Sequence, residues 1–88
     1  MDREHRLKRL RFRAWHRGTK EADLLIGGFF DANGESWNDE EITLFEAMME
    51  EQDVDIMAWA MGTAEVPARY QGTIITALKT LTYIPIAR

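Results

Sequence analysis

The chain contains no cysteine, a single serine and only two prolines. Without cysteine there is no disulfide, no thiolate metal site and no sulfur nucleophile. That pattern fits a reducing compartment. With Ser36 as the one serine, in a turn far from either histidine, a hydrolase triad has nothing to build on. His5 and His16 lie eleven residues apart on one predicted helix, and no HExxH is present, so zinc chemistry lacks its ligands. No apolar run approaches the roughly 18 to 20 residues that cross a bilayer. The acidic stretch "EEQDVD" lacks the spaced ligands, central glycine and closing glutamate of a calcium loop. The six glycines form neither a phosphate loop nor a dinucleotide fingerprint.

What is present is charge, unevenly spread. Residues 1–20 hold eight Lys or Arg against Asp2 and Glu4, a balance of +6. Residues 21–88 hold three basic against thirteen acidic side chains, a balance of −10, which together give the net −4. A basic end on an acidic domain sets up a directional field of the kind that orients a partner. The arginines also resemble a presequence, but Asp2, Glu4 and the absence of serine there argue for mature domain.

Eighty-eight residues with 45% apolar content suit one small domain, and the apolar spacing is helical throughout. Helix one is expected over residues 4–16, burying Leu7, Leu10 and Ala14 with Trp15 at the edge. Arg6, Arg9, Arg13 and Arg17 form a stripe on its opposite, outward face. A second helix over 20–31 would bury Ala22, Leu25, Ile26, Phe29 and Phe30. Gly27-Gly28 opposes it, each glycine costing about 0.8–1 kcal/mol in a helix interior. A bent or shortened helix and a strand at "DLLIGGFF" therefore both stay open. Asp31 to Gly34 reads as a turn.

Asn38 with Glu41 three residues on reads as a capping box for a helix over 39–50, burying Ile42, Phe45, Met48 and Met49. Asp53 would cap a short fourth helix that ends at Gly62, with Ile56, Trp59 and Ala60 inward. Pro67 suits the first turn of a fifth, carrying Tyr70, Ile74, Leu78 and Leu81. Residues 83–88 would be a loose tail. The fold class is all-α, a compact bundle of about five short helices.

The stretch "HRGTKEAD", residues 16–23, stands out. Locally it is a helix corner: Gly18 ends helix one in the left-handed conformation, Thr19 caps the next helix and Glu21 sits in its first turn. Yet glycine between Arg17 and Lys20, at the end of the arginine stripe, also lets another backbone approach. Arg17 would then be free for a bidentate contact, with Glu21 holding it in place.

The ordered set of "RLRFRAWHRGTKEADLLIGGFFD", the "NDEE" cap, Asp53-x-Asp55 and Trp59 resembles the succinate dehydrogenase assembly factors over residues 7–81. These are small soluble proteins of bacteria, with mitochondrial relatives. The resemblance implies helix at "DLLIGGFF", with a break around Gly27-Gly28. It implies a cytoplasmic, non-enzymatic chaperone, monomeric when free. Its partner would be the flavoprotein subunit of succinate dehydrogenase, or that of fumarate reductase. The chaperone would promote covalent FAD attachment in that partner without stably binding FAD or a metal itself. Carried over, Arg17, Gly18 and Glu21 are the motif, with Arg13, His16 and Asp23 as neighbours. Relatives described as antitoxins against a membrane-associated toxin offer an alternative protein-binding role. Nucleic-acid binding by the basic helix, through arginines interleaved with Phe12 and Trp15, is the weaker alternative.

Overall fold

Asp2 begins the first helix by accepting the backbone N–H of His5 at 2.8 Å. Helix α1, Arg3–Trp15, then leads through a four-residue corner to α2, Lys20–Asn33. The structure, a computed structural model, describes residues 2–83. A 3-10 turn at Gly34–Ser36 joins α2 to α3, Asp39–Met48. Helix α4 is Asp53–Met61, and a second 3-10 turn at Ala68–Tyr70 precedes the short α5, Thr73–Leu78. Among the described residues there is no strand, and the expected five-helix all-α architecture stands.

Helices α1 and α2 form the closest pair in the molecule. Their contact explains Gly27. A methyl group on Gly27 would lie 2.3 Å from Cδ2 of Trp15, so the indole packs directly onto the α2 backbone. The expected break at Gly27-Gly28 is absent and α2 runs straight through. Packing of the large Trp15 ring outweighs the helix-propensity cost of the missing side chain. The same logic moves the next boundary. The expected turn at 31–34 is helix as far as Asn33, and the Phe30 ring occupies the space a side chain on Gly34 would need, 2.8 Å away.

The core is aromatic where α2 meets α3. Phe45 lies 4.8 Å from Trp37 and about 6 Å from Phe29 and Phe30, centroid to centroid. Ile42, Phe45 and Met48 are buried on α3 as their spacing requires, and Met49 is buried at its C-cap, short of the expected end at residue 50. The capping box of Asn38 and Glu41 is complete, with reciprocal bonds of 2.8 and 2.9 Å. Helix α4 ends at Gly62 in the left-handed conformation, φ +77°, and buries Ile56, Trp59 and Ala60.

Three expectations in the C-terminal half need correction. Gln52 is the N-cap of α4, and Asp53 is its first helical residue, released for another task. The expected fifth helix from Pro67 divides. Tyr70 lies in the 3-10 turn, Gly72 turns the chain at φ +139°, and α5 begins only at Thr73. Leu81, expected on the same seam, follows the helix at φ +57°. The side-chain spacing survived because Tyr70, Ile74 and Leu78 are all buried, although the backbone between them is not one helix. Finally, Tyr83 is no part of a loose tail. Its ring meets Phe29 edge-on at 5.1 Å, and its hydroxyl donates to the Leu78 carbonyl at 2.6 Å. The rest of that expected tail, residues 84–88, lies outside the described residues.

Candidate functional site

The arginine stripe of α1 does not face outward. The Arg6 guanidinium grips Glu46 with two bonds, 2.8 and 3.1 Å, and donates to the Thr43 hydroxyl. Arg13 reaches Glu50 at 2.5 Å and the Met49 carbonyl at 3.3 Å. Arg17 donates through Nε to Asp53 at 2.7 Å. Only Arg9, of the four, remains exposed. The reason is tertiary: Glu46 on α3, Glu50 in the turn after it and Asp53 at the start of α4 each meet one of the arginines. Arg6 holds the Glu46 carboxyl below its ordinary range. Much of the basic charge of residues 1–20 is therefore answered within the fold. Arg3 also donates to the Glu35 carbonyl, and Arg11 stands 3.7 Å from Asp31. Lys8, Arg9 and Lys20 have no hydrogen-bond or ion-pair partner among the described residues.

The corner itself is tightly built. Helix α1 stops at Trp15, and His16 is the C-cap, earlier than an ending at Gly18. Gly18 turns the chain at φ +119°, where a side chain is strained, and nothing lies within 4 Å of the place a Cβ would occupy. Thr19 then caps α2 by accepting the Ala22 N–H at 3.1 Å. Asp23 reaches back to accept the Arg17 N–H at 2.6 Å. Its carboxylate also sits in the first turn of α2, where the helix dipole favours it.

Arg17 is not free. Its side chain is only 10% exposed, and besides Asp53 it donates to the Met49 carbonyl and the Glu51 carbonyl, both at 3.2 Å. These carbonyls lie at and just beyond the C-terminus of α3, where a cation is favoured. The guanidinium thus fastens the α1–α2 corner to the α3–α4 turn. Glu21, expected to hold Arg17, is exposed and bonds to nothing among the described residues; Asp23 and Asp53 do that work.

That turn is gripped from its other side as well. The Glu51 carboxylate accepts the Tyr70 hydroxyl at 2.6 Å and pairs with Arg69. The Tyr70 bond holds the Glu51 carboxyl below its ordinary range. Burial, aided by Glu51, pushes Tyr70 up to about 12.

The exposed residues of the corner include His16, Gly18, Lys20 and Glu21. Phe12 joins it, 63% exposed and stacked on the His16 ring at 4.0 Å. His16 is held there by a 2.6 Å bond between Nδ1 and the Phe12 carbonyl. Sequence reasoning places Phe12 only with stacking on nucleic acid and gives Asp53 to a helix cap, not to Arg17. A helix break separates Asp53 from Glu46 and Glu50, so no single periodicity marked it.

An open groove of about 610 Å³ lies along the N-terminal part of α1, lined by Asp2, Arg3, Leu7, Lys8, Arg11 and Glu35 among others. Its lining reaches Arg11, about one helical turn before α1 ends at Trp15, and includes none of the corner residues. Among the described residues no group of three or more His, Asp or Glu is placed to hold a metal ion, and no helix is long and apolar enough to cross a membrane.

Comparison with known proteins gives this corner a context. Residues 8–82 match the family described as "Flavinator of succinate dehydrogenase". Over 62 residues, 70% of this chain, it is 45% identical to a protein of Acetobacter pasteurianus named FAD assembly factor SdhE. It is 34% identical over 77 residues, 88% of this chain, to a Mycosarcoma maydis protein named succinate dehydrogenase assembly factor 2, mitochondrial. A protein of the same name from Cryptococcus neoformans is 34% identical over 65 residues, 74% of this chain. The aligned part covers 57%, 32% and 37% of those three proteins, about a third to just over half of their lengths. With the match running from α1 through α5 and across the whole corner, the chain belongs to the family of succinate dehydrogenase flavinators and assembly factors.

Proposed function

We propose that this protein binds the flavoprotein subunit of succinate dehydrogenase, or the related subunit of fumarate reductase, and promotes its covalent attachment of FAD. Docking uses the α1–α2 corner. The observation that carries this reading is the contrast at that corner between a rigid frame and an open face. Arg17, Thr19 and Asp23 are spent on internal bonds, whereas Gly18, Lys20 and Glu21 are exposed on a backbone those bonds immobilise. Preorganisation of this kind lowers the ordering cost of association. A glycine with open space above it admits a partner's backbone.

The chain acts by selection rather than by supplying a reacting group. Binding only the attachment-competent conformation of the flavoprotein raises that conformation's population by the difference in affinity. FAD stays with the flavoprotein throughout. Lys20 and Glu21 offer one donor and one acceptor side chain, and the Phe12–His16 stack adds apolar area of the sort that anchors interfaces.

Co-purification with the flavoprotein subunit, followed by in-gel flavin fluorescence, tests the reading. Glu21→Ala removes a side chain with no internal bond, and Gly18→Arg fills the open space. Both should lower capture and covalent flavin while the helical signal in circular dichroism persists. Undiminished flavinylation with both variants would sink the docking surface.

A further inference from the structure

We propose that Asp53 is a positioning residue for the docking corner, acting through Arg17, and that Arg17 is a brace instead of a contact residue. The proposal rests on the docking reading above and assigns the work done beneath that surface.

The argument starts from what the Arg17 side chain is already doing. Nε is committed to Asp53, Nη1 to the Met49 carbonyl with the Met49 sulfur at 3.4 Å, and Nη2 to the Glu51 carbonyl. All three nitrogens of the fork point into the α3–α4 turn. To touch a partner, the guanidinium would have to abandon these acceptors and leave Asp53, itself three-quarters buried, without its counter-ion. A guanidinium that is 10% exposed and bonded on every nitrogen is part of the scaffold.

The next step concerns Gly18. It has no side chain, a positive φ, and nothing within 4 Å of its Cβ position, so tertiary packing does not hold it. Its place in space is set by its neighbours. On one side the Thr19 cap ties the chain to α2. On the other, Arg17 is tied through its N–H to Asp23 and through its side chain to Asp53, 36 residues away. Asp53 is thus the one side-chain carboxylate from another helix that fixes the corner. It is available because Gln52 occupies the N-cap position of α4. Lysine at position 17 would not substitute, since a single ammonium cannot meet acceptors on three sides in the guanidinium plane.

The test measures two quantities: affinity for the isolated flavoprotein subunit, and amide hydrogen exchange in the free protein at Arg17 and Ala22, the hydrogen-bonded amides on either side of Gly18. The proteins compared are wild type, Asp53→Ala, Arg17→Ala, the double variant, and Glu46→Ala. The last breaks the Arg6 pair at the other end of the same seam and serves as the stability control. Asp53→Ala should weaken binding on the order of tenfold and speed exchange at both amides. The double variant should bind no worse than Arg17→Ala alone. Glu46→Ala should leave affinity and both amides unchanged. Unaltered binding by Asp53→Ala would overturn the proposal, as would losses that multiply in the double variant or an equal loss with Glu46→Ala. If wild type captures no flavoprotein, the proposed function falls, and exchange at Arg17 and Ala22 decides the brace by itself.

Discussion

The Arg17 guanidinium and the Asp53 carboxylate meet at 2.7 Å, joining the first helix corner to the first turn of α4. The pair is largely shielded from water, so removing either partner strands a charge. Arg17→Ala should therefore cost about 2–4 kcal/mol of folding stability, and Arg17→Lys about half as much. Urea denaturation followed by tryptophan fluorescence measures both. The same data bear on how any Arg17 variant is read, because loss of function there includes loss of the corner's shape.

Gly27→Ala should destabilise the protein even though alanine is the better helix former. The propensity gain of about 1 kcal/mol is outweighed by a methyl 2.3 Å from the Trp15 ring, with overpacking costing about 1–3 kcal/mol. Combining it with Trp15→Ala should relieve the clash, so the double variant should be more stable than the two single losses added together. Urea midpoints for the four proteins check this.

Glu21→Ala and Phe12→Ala should each leave stability within about 0.5 kcal/mol, because both side chains are exposed. Their effect should appear instead in flavoprotein capture. Isothermal titration with the flavoprotein subunit should show weaker binding for both, while their thermal midpoints match wild type.

Stability should depend on pH in two measurable ways, one acid and one alkaline. The folded-state pKa values of Glu46 and Glu51 lie below the ordinary 4.5, held down first by Arg6 and by Tyr70 respectively. The stabilisation they contribute is fully present above 4.5 and is lost as pH falls through their lower folded values. Glu46→Gln should accordingly flatten the acid limb of a urea-midpoint profile. Tyr70 behaves oppositely, since its pKa rises from 10 to about 12, chiefly through burial. Its contribution is intact below pH 10 and is lost as pH climbs toward 12; Tyr70→Phe should remove that alkaline slope.

How much of this was legible beforehand varies by element. Asn38, Glu41 and Gly62 announced their caps because a cap is a local bargain between a side chain and backbone groups three residues away. Leu10, Ile42, Phe45 and Ile56 announced burial through spacing alone. Arg17 was legible as important but not in its role. Whether a guanidinium faces solvent or a neighbouring helix depends on which helix packs beside it, and Asp53 was wrongly given to a cap. Gly27 failed for a similar reason, since its partner Trp15 lies across the hairpin. The fifth helix failed because one buried seam is compatible with a 3-10 turn followed by a helix.

By itself, then, the sequence determined helical spacing outside "DLLIGGFF", most of the core and the existence of a glycine-led corner next to a charged helix. Those features follow from periodicity and capping, which act over three or four residues. Only the tertiary structure decided that the arginine stripe turns inward. It also decided that Gly27 makes room for Trp15, and that the corner is braced from α4 while Gly18, Lys20 and Glu21 stay open. These depend on side chains about 12 to 40 residues apart meeting at a few ångströms, and no local pattern specifies which of several carboxylates an arginine will find.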